Sequence, residues 1–113
     1  MRDPESSPVG LARAYYESID AGNYGRLRGL LAEGFVQQRP DLRLEGADRF
    51  VAFMREERPE TDTVHAVDEV YTSDDGVAVR GRLLQADGSE WFAFLDCFDV
   101  EDDRLAALET YTR

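Results

Sequence analysis

The chain has 113 residues, with 24 acidic and 13 basic side chains, so that its formal net charge at pH 7 is −11. Such an acidic surface repels phosphate backbones and anionic lipids, and we expect no nucleic-acid and no membrane partner. Every basic residue counted here is an arginine, and this composition is typical of halophile proteins. One cysteine excludes an internal disulfide framework. No stretch suits a signal peptide or a membrane span, and we expect a cytoplasmic protein.

The first half of the chain is predicted to be helical. We expect a single domain over residues 1–113, with residues 1–6 as a frayed tail. Ser7 and Pro8 predict the start of a helix, because a serine side chain can cap the first turn and proline is tolerated at the first helical position. Gly22 fits the left-handed residue that ends a helix.

Two more helices are predicted before the sheet begins. The stretch YGRLRGLLAEGF predicts a short helix that ends at Gly34, and a third helix is predicted at about residues 47 to 57. Between them, FVQQRPDLRLEG is interrupted by Pro40, which leaves two small strands and a loop as alternatives.

After residue 61 the hydrophobic pattern changes from a helical period to alternation. The turn sequences SDDG, DG and EDDR separate four predicted strands, at about residues 63–73, 77–86, 89–100 and 104–112. Short loops join antiparallel neighbours, so these strands should form a meander. Helices followed by an antiparallel sheet predict an α+β fold.

Asp96 is the one polar residue between Trp91 and Phe98, in a strand that is apolar on both faces. A buried carboxylate is costly unless it is paired, hydrogen-bonded or protonated. If each turn of the meander is a two-residue loop, Asp96 lies opposite Glu109 with Tyr111 diagonal to it. A register slip of one residue would reverse this assignment.

The same register divides the other strand residues between two faces. From the first strand, the face of Asp96 receives Val64, Ala66, Asp68 and Val70. His65, the only histidine, falls on the opposite and more polar face, where we expect a surface residue. A metal site is not expected, because one histidine and one cysteine on different strands do not form a ligand cluster.

The face opposite Asp96 carries an apolar patch on the last two strands, formed by Trp91, Ala93, Leu95, Cys97, Ala106 and Leu108. The three helices can cover only one side of the sheet. We therefore expect a homodimer through Trp91, Ala93, Leu95 and Cys97, with coverage by the N-terminal tail as the alternative.

The order of these elements resembles a known superfamily. LARAYYESIDAGNYGRLRGLLAEGF, a short extended piece, LEGADRFVAFMRE and a meander that ends FLDCFDVEDDRLAALETY are similar to nuclear transport factor 2-like proteins, especially the SnoaL-like and ketosteroid-isomerase-like group. The resemblance covers about residues 9 to 112. It implies a cone, in which a curved sheet wraps around the helices, encloses a pocket and dimerises through its outer face.

The resemblance also implies roles for individual residues. In the ketosteroid-isomerase-like members, a tyrosine of the first helix and an acid of the third meander strand hold an oxyanion, and Tyr15 and Asp96 occupy those positions. The general base of those enzymes would lie at Arg39, and arginine cannot serve as a base. Two alternatives remain: Asp96 and Glu109 share a proton for acid–base catalysis, or Arg39 neutralises them in a structural ion cluster.

Two functions are compatible with the sequence. The first is a pocket for an apolar or carbonyl-bearing metabolite, with or without cofactor-independent isomerase, cyclase or epoxide-hydrolase chemistry. Its polar contacts would be Tyr15, Arg39, Asp96, Glu109 and Tyr111, and its apolar lining would include Phe50, Phe53 and Phe94. The second is a non-catalytic dimeric scaffold whose cone is filled by Phe92, Phe94, Phe98 and Tyr111. An open cavity that reaches Asp96 favours the first.

Overall fold

The computed structural model describes residues 7–58 and 60–113, which form three helices and six strands. The helices are α1 (Pro8–Ala21), α2 (Tyr24–Leu30) and α3 (Ala47–Glu56). The strands are β1 (Leu31–Gln38), β2 (Arg43–Glu45), β3 (Val64–Thr72), β4 (Gly76–Leu84), β5 (Glu90–Glu101) and β6 (Arg104–Thr112). The expected tail over residues 1–6 lies outside the described residues.

Helix α1 begins and ends where its sequence predicts. The Ser7 hydroxyl accepts a hydrogen bond from the Gly10 N–H at 3.0 Å, and Pro8 occupies the first turn. Gly22 ends the helix with φ of 69°, a left-handed conformation that favours glycine. The buried face of α1 carries Tyr15 and Tyr16 towards the sheet.

Helix α2 is shorter than predicted. It ends at Leu30 and not at Gly34, because Leu31 is already extended and opens β1. The stretch around Pro40 forms two strands, the first of the two alternatives. Strand β1 pairs antiparallel with β2 and parallel with β6, so the predicted meander becomes a six-stranded sheet.

The sheet has the strand order β2-β1-β6-β5-β4-β3. It is curved and unclosed, and the three helices pack against its concave face, which confirms the predicted α+β cone. The core between the two layers is apolar and aromatic, and its fully buried side chains include Leu27, Phe35, Phe50, Phe98 and Leu105. No helix within residues 7–58 and 60–113 combines the length and the hydropathy needed to cross a membrane.

Of the two strand pairings that include Asp96, one has the predicted register and the other does not. Val79 pairs with Asp96 as expected, and the Asp102-Asp103 turn has positive φ at both residues, as a type I′ hairpin requires. Between β5 and β6, however, Ala106 is an extra residue at a bulge. Thr110, and not Glu109, therefore lies opposite Asp96.

A second bulge exchanges the inward-facing and outward-facing residues in the first half of β3. Val67 pairs with Gly81 and Glu69 with Arg80, so Asp68 is the extra residue. The predicted inward positions of Val64, Ala66 and Asp68 are wrong: these residues face outward, and Val64 is 49% exposed. His65 shares the concave face with its partner Leu83, against the prediction of a surface residue.

The observed strand register also removes residues from the predicted apolar outer patch. Trp91 is the extra residue of a third bulge, between the Leu83–Phe92 and Leu84–Glu90 pairs, and it lines the cavity described below. Leu108 is 1% exposed and belongs to the core. Ala93, Leu95 and Cys97 do lie on the outer face, opposite Arg82, Arg80 and Ala78 of β4.

Candidate functional site

A cavity of about 200 Å³ opens between the helices and the concave face of the sheet. Its lining mixes apolar and aromatic side chains with a few polar groups. The lining residues that matter for the chemistry are Tyr15, Gln37, Arg39, Phe53, Arg58, Glu60, Thr63, His65, Trp91, Phe94, Asp96 and Thr110.

Asp96 lies on the inner wall of this cavity and is 5% exposed. Its Oδ2 accepts a hydrogen bond from the Tyr16 hydroxyl at 2.7 Å, and its Oδ1 accepts one from the Thr110 hydroxyl at 2.6 Å. Gln37 Nε2 donates to Thr110 Oγ1 at 3.0 Å, which directs the threonine proton towards Asp96. The inward position predicted for Asp96 is confirmed.

Burial raises the pKa of Asp96 above its ordinary value, and the two hydroxyl donors oppose that rise. Burial also raises the pKa values of Tyr15 and Tyr16 well above the ordinary value, with the nearby Asp96 carboxyl as the next cause. Both phenols therefore stay protonated and can act as hydrogen-bond donors. Asp96 is left as a carboxyl group that can exchange a proton inside the cavity.

His65 is a second ionisable side chain in the lining of the cavity. Its Nδ1 lies 2.6 Å from Asp20 Oδ1, and its backbone N–H donates to Asp20 Oδ2 at 3.0 Å. A carboxylate accepts hydrogen bonds, so in the neutral imidazole this contact places the proton on Nδ1 and leaves Nε2 as an acceptor. The ring packs beside Tyr16 and Phe94, with centroids 4.9 and 5.7 Å away.

Tyr15 is 3% exposed and lines the cavity, as the sequence predicts. Its hydroxyl forms no hydrogen bond with any residue in the described part of the chain. Phe53 and Phe94 also line the cavity, as predicted for ligand-binding residues. Phe50 does not: it is 0% exposed and packs against Tyr15 and Phe35 in the core.

Neither hypothesis about a charge cluster at Asp96 survives. Glu109 lies on the outer face, where it pairs with Cys97 across the strands and accepts a hydrogen bond from Tyr111 at 2.5 Å. Tyr111 is 52% exposed on that face and cannot contact a ligand in the cavity. Arg39 lines the cavity without pairing with Asp96, because its guanidinium lies over the Phe53 ring, 5.5 Å from the centroid.

Sequence reasoning missed several polar groups of the cavity, namely Gln37, Arg58, His65 and Thr110, and it missed the Asp20 carboxylate that contacts His65. A signal for two of them was present. In VHAVDEV the apolar residues Ala66 and Val67 are adjacent, and in LAALET Leu105 and Leu108 are three apart. Both irregularities interrupt strict alternation and indicate a bulge. Within the described residues, no group of three or more histidine, cysteine or acidic side chains could hold a metal ion.

Comparisons with known proteins agree with this architecture. A family model described as the SnoaL-like domain matches residues 12–108. No curated protein matches the chain. A nuclear transport factor 2-like protein of unknown function from Cytophaga hutchinsonii has a TM-score of 0.82 at 16% identity, with 95% of this chain and 90% of that chain covered.

Two other solved structures carry functional descriptions. A candidate ketosteroid isomerase from Kribbella flavida has a TM-score of 0.83 at 20% identity, over 96% of this chain and 78% of that chain. A candidate polyketide cyclase from Sinorhizobium meliloti has a TM-score of 0.79 at 18% identity, over 97% and 100%. At these identities the likeness shows a common fold, which carries many unrelated activities.

Proposed function

Because the chain belongs to the SnoaL-like domain family, we propose that its cavity binds a small carbonyl compound and catalyses proton transfer on it. The family match confirms the resemblance found in the sequence. Relatives of this fold described as isomerase and cyclase candidates make such chemistry a natural starting point. The observation that carries the proposal is the presence of two proton-exchanging groups, Asp96 and His65, in the lining of one apolar cavity.

The hydrogen-bonding atoms of Tyr15 and His65 that have no partner among the described residues assign a role to each side chain. The Tyr15 hydroxyl donates to the carbonyl oxygen of the ligand, because burial keeps that phenol protonated. His65 Nε2 removes a proton from the carbon next to the carbonyl, and Asp20 holds the imidazole in the required tautomer. The C–H electron pair moves into an enolate whose oxygen is stabilised by Tyr15.

Asp96 supplies the second half of the reaction. Its raised pKa favours a protonated carboxyl group compared with an exposed aspartate, so it can return a proton to the enolate. Return to the original carbon gives exchange, and return to another carbon of a conjugated enolate gives an isomer. The step leaves His65 as an imidazolium and Asp96 as a carboxylate, and proton exchange with water restores both groups. The ligand must be small, since about 200 Å³ is less than the roughly 300–1,000 Å³ of pockets for drug-sized molecules.

The experiment is hydrogen–deuterium exchange, which reports proton abstraction whatever the final product is. Small cyclic ketones and β-diketones are incubated with the protein in D₂O, and deuterium uptake next to the carbonyl is followed by NMR. Wild type should accelerate uptake, and His65→Gln and Asp96→Asn should each lower that rate by about a hundredfold or more. Glu109→Gln, on the outer face of the sheet, is the matched control and should retain the rate.

Equal exchange rates in wild type and His65→Gln would contradict the assigned base. Exchange no faster than in buffer across all ketones, with a correctly folded protein, would contradict the proposed catalysis. The second candidate function, a scaffold with a filled cone, is disfavoured by the open space beside Asp96.

We also propose that the chain forms a homodimer through its outer sheet face. Ala93 and Leu95, with Tyr111 beside them, line a shallow depression of about 250 Å³ on that face. Burial of this surface by a second copy would remove apolar area from water. Sedimentation should give a dimer for wild type and a monomer for Leu95→Glu; a wild-type monomer at micromolar concentration would contradict the proposal.

A further inference from the structure

The lining of the cavity divides into a buried floor and an exposed mouth. The floor contains Tyr15, Gln37 and Asp96, which are 3%, 4% and 5% exposed. The mouth is formed by lining residues with partly or largely exposed side chains, which are Arg39, Arg58, Glu60 and Trp91. A ligand that fills the cavity therefore meets different chemistry at its two ends.

Two arginines converge on the mouth of a strongly acidic protein, and neither is neutralised there. Arg39 has only a long contact of 4.0 Å from Nε to Oδ1 of Asp41, whose side chain is 80% exposed. Arg58 donates to the Met54 carbonyl and to the Tyr24 hydroxyl, and it has no carboxylate partner among residues 7–58 and 60–113. Much of the donor capacity of both guanidinium groups is thus unused.

The positive charge of both arginines acts inside the cavity. Arg39 and Arg58 each counteract the burial-driven rise in the pKa of the Tyr15 hydroxyl, which places both charges within electrostatic reach of the floor. Planar guanidinium groups match the geometry of a carboxylate better than any other side chain. An anionic group between them would gain charge-assisted hydrogen bonds in a partly desolvated position.

Gln37, at the floor of the cavity, gives a second and independent indication of a polar ligand. Its Nε2 is engaged with Thr110, but its Oε1 is buried and has no hydrogen-bond partner in the described part of the chain. A buried carbonyl oxygen without a donor costs free energy, so such an atom on a side chain that lines the cavity indicates a donor on the ligand.

We propose that the carbonyl compound bound in the cavity is also a small hydroxy acid, whose carboxylate is held at the mouth by Arg39 and Arg58 and whose hydroxyl group donates to Gln37 Oε1. The inference rests on the proposed function in that it takes the cavity to be a ligand site. It adds the charge and the polarity of the ligand, which the proton-transfer chemistry alone does not specify.

The test measures affinity with matched probes that carry no ketone. Three acids of increasing length, 4-hydroxybenzoate, 4-hydroxyphenylacetate and 3-(4-hydroxyphenyl)propionate, are titrated together with their methyl esters and with the acids that lack the hydroxyl group. At least one hydroxy acid should bind about tenfold more tightly than its ester, because charge-assisted hydrogen bonds are lost in the ester. Failure of all three acids to outbind their esters overturns the proposal.

Arginine variants locate the anion site. Arg39→Gln and Arg58→Gln should lose the preference for acid over ester, whereas Arg58→Lys, which keeps the charge, should retain part of it. Arg49→Gln is the matched control, because Arg49 also lies near the Phe53 ring, at 6.0 Å, but does not line the cavity. An equal loss of preference in Arg49→Gln would mean a general charge effect and overturns the site.

Two further variants sharpen the assignment of each end. Glu60→Gln removes the one acid at the mouth and should strengthen binding of the acids but not of the esters. Gln37→Met should abolish the preference for the hydroxylated acid over the acid without the hydroxyl. Because each result is a ratio of two ligands on one variant, a partial loss of folded protein does not imitate it. An unchanged hydroxyl preference in Gln37→Met overturns the role of Gln37.

The two proposals can fail separately. Selective acid binding without ketone exchange would leave an anion-binding cavity and reject the catalysis. Ketone exchange by wild type without any preference for acids would keep the catalysis and reject the hydroxy acid.

Discussion

Two carboxyl groups on neighbouring strands each accept a hydrogen bond from a tyrosine, but they lie on opposite faces of the sheet. Asp96 accepts from Tyr16 at 2.7 Å on the concave face, and Glu109 accepts from Tyr111 at 2.5 Å on the convex face. The inner pair is nearly inaccessible to water, whereas Tyr111 is 52% exposed.

The difference shows that burial, and not the contact with tyrosine, makes one carboxyl group a candidate for chemistry. On the inner face, burial is the largest influence on Asp96 and raises its pKa. On the outer face, the hydrogen bond to Glu109 is the largest influence on Tyr111 and raises the pKa of the phenol. In the single chain, water surrounds the outer pair, so its charge costs little and carries little information about function.

The largest expected contrast is in activity. Asp96→Asn should lower ketone exchange by about a hundredfold to ten-thousandfold, because it removes a proton donor from the cavity. Glu109→Gln removes the same kind of group from the other face and should leave the rate unchanged. NMR exchange rates for both variants, measured at equal concentrations of folded protein, show which face of the sheet carries the chemistry. A comparable loss of rate in Glu109→Gln would contradict the assignment to the concave face.

The next contrast is in stability. Tyr16→Phe leaves a buried carboxyl group short of a donor, and we expect the free energy of unfolding to fall by about 1–3 kcal/mol. Tyr111→Phe, made in the Leu95→Glu background in which the outer face stays in water, removes an equivalent bond and should give no measurable change. Urea unfolding of the two variants measures both effects, and equal losses would show that the outer pair is more protected than its exposure indicates.

Crowding gives a third contrast within the sheet. A Cβ atom at Gly81 would lie 2.5 Å from the Ala66 carbonyl oxygen and 2.8 Å from Phe94 Cζ. Gly81→Ala should therefore cost about 1–3 kcal/mol of stability. At Gly34 an added Cβ meets nothing within 4 Å, and Gly34→Ala should cause no loss. Thermal unfolding of the two alanine variants checks this; a stable Gly81→Ala would mean that the β3–β4 pair moves apart easily.

The smallest expected effect is a pH dependence. Because burial raises the pKa of Asp96 in the folded state, that state binds more protons than the unfolded chain between the two pKa values. The contribution to stability is complete below the unfolded pKa, and it is lost as pH rises through the folded pKa. Asp96→Asn does not titrate, so its stability relative to wild type should improve with rising pH, by at most about 1.4 kcal/mol per unit.

The measurement is urea unfolding of wild type and Asp96→Asn across the range from about pH 4 to 8. A difference between the two proteins that does not change with pH would show that Asp96 has the same pKa in both states.

The fold and the position of Asp96 were predictable because they depend on long patterns. Helical spacing in α1, alternation in β4 and the continuous apolar run in β5 each extend over many residues, so a local irregularity does not erase them. Asp96 lies within the run of β4–β5 pairs from Gly76–Asp99 to Leu83–Phe92, which keeps the predicted register, and its face followed from that.

The partners of Asp96 were not predictable from the same patterns. Each bulge inserts one residue and exchanges the two faces beyond it, which moved His65 inward and Glu109 outward. Residues brought from β1, such as Gln37, depended on a parallel pairing between distant parts of the chain, for which a single sequence contains no local signal. Long-range pairing therefore determined most of the candidate site.

The bulge at Ala106 implies an unusual route by which this scaffold could acquire new chemistry. If Ala106 were taken into regular pairing with β5, the bulge would disappear, Thr110 would leave the cavity, and Glu109 and Tyr111 would face it. Gain or loss of one bulge would thus replace several cavity side chains together, which stepwise substitution cannot do. Strand irregularities of this kind let a one-residue change of register act as a combined mutation in the evolution of the fold.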